Sequence, residues 1–439
     1  MAYYYLKHYF MPDFNHKHLR PVAMADGNVN AHYLGYVQNV VAGQVLAELV
    51  QLETLPEGVI PHRVGQPDTS TECVPLPDLP DGYPEPKELP LATPRHTEGS
   101  KDFLSRMGDI DPRFIYDAPV FPLGPNCTRD PQHPNRIVAL ANGYCFYHDG
   151  FITVKKLLNV RQDVNFHTGN ITYVEDIVVH GDVFPGFSLC GKNIRVKGRV
   201  DGGTIRARGD VVIEHGIKGS PKALLKAEGT VRLAYCEHAR IITPGNIVID
   251  GACIHSELYV GGSLIVKGRL QGGTVYANGM VFVQEQLGGG QGAPTQIELG
   301  YSPQEYLYLQ RLKEFHEEQT ARLRFYTAHS RKGTYMEEEC APLIELASQK
   351  LAVVAEMQRK AWQTFSMDAA NTASNRIIVP GTVYPGVEIS IGRAYRKIVD
   401  AVSDVSFCLA EDEIVSISPA VPKGFSLENV HTSSPRNGK

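Results

Sequence analysis

Short triplets of apolar, variable and apolar residues recur along the middle of the chain. They begin at Ile177, Ile194, Val211, Val231, Ile247, Leu264 and Val281. Successive starts are 17, 17, 20, 16, 17 and 17 residues apart. Alternation with a period of two is typical of a half-buried β-strand, and its return at nearly constant spacing indicates an internal repeat.

Two copies of the repeat, residues 194–209 and 264–279, match closely although they start 70 residues apart. Each runs from its triplet through a Gly-Gly-Thr corner to a second short strand. Too few residues separate successive strands for a crossover helix, so rungs stacked about 4.8 Å apart fit better than a doubly wound sheet. The sequence predicts a parallel β-helix. A spacing of 17 breaks a six-residue period, which favours a right-handed helix over the left-handed hexapeptide type without determining the hand.

Apolar runs separated by glycine also precede the repeat, at residues 20–62 and 116–156. Asn142-Gly143 and Asp149-Gly150 are hairpin turn signals. We expect these segments to pair into one N-terminal β domain over residues 1–160. A proline-rich stretch at about residues 61–100 would be an irregular insertion in this domain.

After the repeat, the apolar spacing changes to three or four residues, which predicts helices. Ser302, Pro303 and Glu305 have the residue types of a helix start with a capping box. The first stripe at this spacing, apolar except for Gln319, is Leu309, Leu312, Phe315, Gln319, Leu323 and Tyr326. The second, after Lys332-Gly333 and apolar except for Lys350, is Leu343, Leu346, Lys350, Val354, Met357, Ala361 and Phe365. Together they predict a projecting antiparallel helical hairpin or coiled coil.

The β pattern returns near the C-terminus, where a solenoid needs a cap to protect its exposed strand edge. We therefore predict a mainly β protein with an N-terminal β domain over 1–160 and a parallel β-helix over 161–300. A helical hairpin over 301–375, a C-terminal β cap over 376–418 and a disordered polar tail over 419–439 follow.

Composition excludes several classes of protein. The 439 residues carry a net charge of −5, which argues weakly against a nucleic-acid partner. The eight cysteines form no C-x-x-C pair, so we expect neither a disulfide framework nor a zinc ribbon. The first ten residues lack the features of a signal peptide and no apolar run is long enough to span a membrane, so we expect a cytoplasmic protein without membrane insertion.

Candidate chemistry is sparse. Four carboxylates could be argued as a catalytic cluster: Asp163, Asp176, Asp182 and Asp201. Aspartate beside glycine is, however, the usual turn residue. A metal site could be argued from His8, His16 and His18, but they lack cysteine partners. We expect no catalytic residue, no metal and no cofactor.

Two features indicate an interaction surface instead. The stretch from Lys192 to Arg240 holds eleven Lys and Arg residues against five Asp and Glu residues. This surplus fits either a solvated solenoid face or an anion-binding face. The outward triplet position is apolar in five of seven copies, so that flank should be covered by the chain's own hairpin or by another protein. The candidate surface residues are Arg195, Lys197, Arg199, Arg206, Arg208, Val212, Ile265 and Phe282.

Several segments resemble the flagellar assembly protein A family. They are Asp163-Val-Asn-Phe-His-Thr-Gly-Asn-Ile171, Gly181-Asp-Val183, Gly292-Ala-Pro-Thr-Gln-Ile-Glu-Leu-Gly300 and Val383-Tyr-Pro-Gly-Val-Glu-Ile-Ser-Ile-Gly392, with the Gly-Gly-Thr corners. The resemblance extends from about Tyr116 to Ile417 and is weaker over 20–62. It implies a cytoplasmic bacterial protein with a central right-handed β-helix and a link to flagellar assembly, and it implies no established catalytic chemistry.

We therefore expect a non-catalytic scaffold or regulatory protein in flagellar assembly or placement. Its partners would be proteins of the flagellar or polar machinery, and a second copy of the chain is a further candidate. The alternative is an enzyme or binding module for an anionic polymer that uses the basic stretch.

Overall fold

The computed structural model describes residues 2–15, 19, 22–23, 29–30, 32–55, 59–62, 110–290, 294–300, 302–331, 334–368 and 375–421. Most of the predicted proline-rich insertion and of the predicted tail, together with His16 and His18, lie outside these residues. The chain forms two compact units. One comprises Met1–Gly198 and Gly203–Ala207, and the other Arg199–Gly202 and Arg208–Lys439.

The N-terminal part of the first unit is a small β domain. Its strands are β1 (Tyr3–His8), β2 (Val22–Ala23), β3 (Val29–Asn30), β4 (Asn39–Val40), β5 (Val45–Leu52), β6 (Ile115–Tyr116), β7 (Cys127–Arg129), β8 (Arg136–Ala139), β9 (Gly143–His148) and β10 (Phe151–Lys155). A short 3₁₀ helix spans Pro112–Phe114. The sheet orders are β6-β1-β5-β8-β7, β10-β9-β4 and β2-β3. The first two sheets share one apolar core that includes Leu6, Leu46, Ile137 and Ile152.

Pairing across the predicted insertion is confirmed, because β5 pairs with β8 and β4 pairs with β9. The tyrosine-rich start, for which we predicted no element, is strand β1 and pairs antiparallel with β5. Asp149-Gly150 closes the predicted β9–β10 hairpin with positive φ at both residues. The hairpin predicted at Asn142-Gly143 is wrong. The chain there passes from one sheet to the other, and the Asn142 side chain accepts from the N–H of Ala42 instead.

A parallel β-solenoid of about eight turns follows, which confirms the predicted fold class. Its strands before the helices are β11 (Leu157–Val160), β12 (Ile171–Thr172), β13 (Asp176–Val179), β14 (Ser188–Gly191), β15 (Ile194–Val196), β16 (Val200–Asp201), β17 (Thr204–Ala207), β18 (Val211–Ile213), β19 (Ile217–Ala227), β20 (Val231–Leu233), β21 (Cys236–Thr243), β22 (Ile247–Ile249), β23 (Cys253–Val260), β24 (Leu264–Val266), β25 (Arg269–Ala277), β26 (Val281–Val283), β27 (Gln286–Leu287) and β28 (Thr295–Leu299).

The apolar triplets stack in register from one turn to the next. In the second unit, Val231 pairs with Ile247, and Ile247 pairs with Leu264. The first and third triplet residues point into the solenoid and are fully buried, as Ile247 and Ile249 are. The one 20-residue spacing is absorbed on β19, where the pairing with β21 shifts between Lys218 and Ala223. The extra residues therefore leave the core ladder unbroken.

Two long helices follow β28, as predicted, but they interrupt the solenoid instead of following its end, because residues 376–391 of the predicted cap continue the parallel stack. Helix α1 spans Pro303–Ser330 and α2 spans Thr334–Asp368, and they pack against each other as a hairpin. Ser302 precedes α1 but makes no side-chain capping bond. Leu309, Leu312 and Gln319 of the first predicted stripe are buried.

The second predicted stripe is partly wrong. On α2 the buried face contains Cys340, Ala347 and Val354, whereas Leu343 and Leu346 are exposed. Helix α2 carries two neighbouring apolar stripes, one buried and one exposed. The predicted stripe mixes residues of both, because members of the two stripes also lie three or four positions apart.

The solenoid resumes after the hairpin. Strands β29 (Arg376–Val383) and β30 (Val387–Ile391) pair in parallel with β26 and β28. Strands β31 (Ala394–Lys397), β32 (Val402–Ala410) and β33 (Glu413–Ile417) then pair antiparallel and close this end. The change to antiparallel pairing covers the edge that a further turn would need, which is how a solenoid end avoids association.

Candidate interaction surfaces

The loop Asp163 to Asn170 contains the motif that carries the family resemblance. The Thr168 hydroxyl accepts from the N–H of Asn165 at 2.9 Å and donates to the carbonyl of Asp163 at 3.0 Å. The Asp163 carboxylate accepts from the N–H of Asp182 at 2.8 Å. These side chains hold backbone groups of the first solenoid turns, so the motif is structural rather than catalytic in its contacts.

The same loop anchors the N-terminal chain. Gly169 has φ +68°, and a Cβ there would lie 2.7 Å from the carbonyl oxygen of His32, so only glycine fits without strain. The N–H of Asn170 donates to that carbonyl at 2.6 Å, and its side chain accepts from the N–H of Ser188. The Gly169-Asn170 pair is therefore explained by docking of the chain around His32.

Two phenylalanines beside this loop are exposed and were missed by the sequence reasoning. Phe166 is 70% exposed and contacts Phe187 edge-on, with ring centroids 4.9 Å apart. Phe184 is also exposed. For Phe166, the only sequence signal of exposure was its position as a single phenylalanine inside a polar loop.

One of the four carboxylates considered as a catalytic cluster, and two histidines of the solenoid, have structural contacts. Asp176 accepts from both the backbone and the side-chain N–H groups of Asn193. His238 and His255 stack at 5.2 Å on adjacent turns, both with positive φ. Within the described ranges, no group of three or more His, Cys, Asp or Glu side chains is placed to hold a metal ion. Among the described helices, none has the length and apolar content needed to cross a membrane.

The candidate basic residues do not share one strand. Arg195 lies on β15 and Arg206 on β17, while Arg199 and Arg208 lie outside the strands near corners. These four arginines are exposed and Lys197 is half-buried. Within the first unit, Arg195 and Arg206 thus lie on different strands and do not form one continuous basic row.

Basic side chains also pair with acidic residues one turn away. The pairs are Lys192–Glu175 at 3.1 Å, Lys218–Glu237 at 3.6 Å, Arg232–Asp250 at 3.0 Å, Arg240–Glu257 at 3.4 Å and Lys267–Asp250 at 2.6 Å. Burial alone would raise the pKa of the Asp250 carboxyl, but hydrogen bonds from Lys267 and Arg232 outweigh it and lower the pKa. Acidic partners from outside the basic stretch therefore compensate part of its surplus charge.

The C-terminal part of the apolar flank is covered by the chain itself. Val248, Ile265, Phe282 and Ile378 form one buried cluster with Ala420. The covering element is the C-terminal segment around Ala420, not the hairpin. Because Ile265 and Phe282 are only 1% and 4% exposed, they are not available to a partner in this structure. Val212, outside this cluster, is half-buried.

The hairpin rests on a stack of tyrosines. The ring of Tyr306 on α1 lies 4.4 Å from that of Tyr276, which lies 4.9 Å from that of Tyr259. The hydroxyls of Tyr276 and Tyr306 are 3.2 Å apart, and Arg240 lies over the Tyr259 ring at 5.1 Å. Burial, followed by the hydrogen bond with Tyr306, raises the pKa of Tyr276. Tyr276 and Tyr259, on two successive solenoid turns, therefore support the base of the hairpin.

Substitution of Tyr306 by alanine is expected to loosen this base without unfolding the solenoid. Loss of a stacked ring removes about 1 kcal/mol or more of packing, so amide hydrogen exchange in the first turns of α1 should accelerate about tenfold. Mass spectrometry of exchanged peptides measures this. Tyr306→Phe keeps the stack and should exchange nearly as slowly as the wild type, whereas exposed Tyr308→Ala should have no effect; equal exchange in all three variants would contradict the prediction.

The hairpin is an insertion at one solenoid corner. Leu299 pairs with Ala277, and Ile377 pairs with Val281 one turn earlier. The earlier corner is only Asn278-Gly279-Met280. Omitting residues 301–374 would leave Gly300-Asn375-Arg376 at the hairpin corner, which has the same length. The solenoid path therefore does not need the helices.

The family model of the Flagellar Assembly Protein A β-solenoid domain matches residues 156–414. The chain belongs to this family. The match begins one residue before β11 and ends within β33, so it includes the hairpin and leaves strands β1 to β10 outside. No curated protein and no solved structure matches the chain. The Flagellar Assembly Protein A family is thus identified through the solenoid and its inserted helices.

Proposed function

We propose that the protein is a cytoplasmic, non-catalytic scaffold in flagellar assembly or placement, and that its helical hairpin contacts a protein partner. The family description supports the link to flagellar assembly. The observation that carries the mechanism is the hairpin itself, which occupies a corner that needs only three residues one turn earlier. Helices that the fold does not require are best explained by contacts they make.

The hairpin surface supports this role. On α1, the side chains of Tyr308, Phe315 and Phe325 are exposed although they are large and apolar. Exposed apolar groups of this kind mark protein contact sites when they cluster on one element. The basic residues Arg195, Lys197, Arg199, Arg206 and Arg208 remain a predicted second contact surface.

A deletion of residues 301–374 tests the proposal in cells of the native host. Since the remaining corner matches the length of its neighbour, the variant should fold, with an unchanged β signal in circular dichroism. We expect loss or misplacement of flagella and reduced swimming, counted by electron microscopy and motility assays.

A matched variant keeps both helices and replaces Phe315 and Phe325 by glutamate. It should reproduce the flagellar defect, because it removes the contact surface and leaves the buried hairpin seam intact. Normal flagellation in both variants, at normal protein levels, would refute the role of the hairpin.

A further inference from the structure

Helix α2 has a second apolar stripe that faces solvent. Its buried face repeats every seven residues at Cys340, Ala347 and Val354. Beside it lie the exposed side chains of Leu343, Leu346, Val353 and Met357, which are 41%, 47%, 60% and 38% exposed. We call these four residues, with Lys350 and Lys360, the outer seam.

The spacing of the outer seam indicates the shape of its occupant. Successive members are 3, 4, 3, 4 and 3 residues apart along α2. This alternation repeats every 3.5 residues and is the a and d pattern of helices that wind around each other. The stripe therefore fits another helix better than a strand or a flat surface.

The outer seam is complementary to itself in an antiparallel arrangement. If Leu346 faces Met357 of a second copy, then Val353 packs against the aliphatic stem of Lys350 of that copy. In a helix, long side chains lean toward its N-terminus. The ammonium group of Lys350 then points toward Glu356 of the second copy, and the two-fold axis repeats every contact.

Lys350 also selects this register. A lysine within an apolar a and d stripe disfavours registers that bury its charge without a partner. Glu356 lies on the polar side of the outer seam and already pairs with Arg359 at 2.8 Å and with Lys360 at 3.6 Å on the exposed surface. Such exposed pairs are weak, so Glu356 remains able to accept from a further cation.

We propose that the outer seam of α2 pairs with the outer seam of a second copy of this chain, as an antiparallel two-fold contact. The inference rests on the proposed function in taking the hairpin as the contact element. It assigns α2 to self-association and leaves the exposed aromatic residues of α1 for the flagellar partner.

Sedimentation velocity of the full-length protein over a concentration series tests the proposal. The wild type should be a reversible dimer. Val353→Glu should weaken the dimer by about 100-fold or more, because two carboxylates would enter an apolar contact. The control Ala352→Glu adds the same charge at an exposed neighbouring position off the outer seam, and should change the dissociation constant by less than about threefold.

A charge exchange tests the register separately. Lys350→Glu should weaken the dimer, and Lys350→Glu combined with Glu356→Lys should restore it. Circular dichroism checks that the helices persist, and the charge exchange decides the result should Val353→Glu unfold them. A monomer at every concentration, equal effects of Val353→Glu and Ala352→Glu, no restoration by the exchange, or a foreign protein bound to the outer seam of a monomer would each overturn the proposal. Since sedimentation measures the purified protein, a monomer would overturn the dimer alone, whereas normal flagellation in the Phe315 and Phe325 variant would overturn the role of the hairpin in flagellar assembly.

Discussion

Replacement of Leu233 by alanine is expected to lower the free energy of unfolding of the solenoid by about 2–5 kcal/mol. Leu233 is fully buried on β20, where it pairs with Ile249 of the next turn. Removing its side chain leaves a cavity between turns that the stacked backbone cannot close, since every neighbouring strand is fixed by hydrogen bonds to two others. The loss should appear as a shift of the denaturation midpoint in guanidinium chloride, followed by circular dichroism.

The adjacent Arg232 provides the control. It points outward on the same strand and pairs with Asp250 at 3.0 Å on the surface. Because exposed ion pairs contribute little, Arg232→Ala should cost about 1 kcal/mol or less. Similar costs at the two positions would mean that inward and outward residues have been assigned wrongly.

Acidification from pH 7 to pH 5 is expected to destabilise the N-terminal β domain by about 2 kcal/mol through His8 alone. The His8 ring is buried against Phe10, Phe114 and Tyr147, with centroids 5.3, 4.3 and 5.6 Å away. Burial is the main cause that lowers its pKa to about 4; nearby Asp111 opposes the shift.

The direction follows from the two protonation states. An unfolded histidine titrates near pH 6.5, so between pH 6.5 and pH 4 the unfolded chain binds a proton that folded His8 does not. Stability is therefore complete above this window and is lost as the pH falls through it. Arg113 and Asp13 near the same ring modify the shift less strongly than burial does.

The comparison of wild type with His8→Phe isolates this effect from other titrating groups. Phenylalanine fills the same aromatic site and takes up no proton, so the variant should lose about 2 kcal/mol less than the wild type between the two pH values. Hydrogen exchange across β1 and β5 measures the stability of this domain. Parallel pH dependence in both proteins would show that His8 is already protonated or accessible to water.

The solenoid was predictable because one residue period governs both its sequence and its structure. Each triplet buries its first and third residues, so the spacing from Ile247 to Leu264 is directly the length of one turn. The paired strands require only this alternation of residues and glycine at the corners, and both can be read directly from the sequence. The same reasoning located the hairpin, because its period changed from two to between three and four residues.

Other features depend on distant parts of the chain and left no periodic signal. The C-terminal cover over Phe282 brings Ala420 against a strand far away in sequence, so its identity could not be predicted. On α2, Leu343 and Val354 both fit a helical stripe, and only the position of α1 decides which one is buried. The basic stretch was overestimated because partners such as Glu175 lie one turn outside it.

The corner between Leu299 and Arg376 is also a position at which other domains could be inserted into this fold. Both ends of the inserted segment return to the spacing of an ordinary corner, so any domain whose termini lie close together could replace the helices without altering the rungs on either side. Related proteins could therefore carry different inserted domains at this position on the same solenoid. A fluorescent protein or an enzyme could also be fused there.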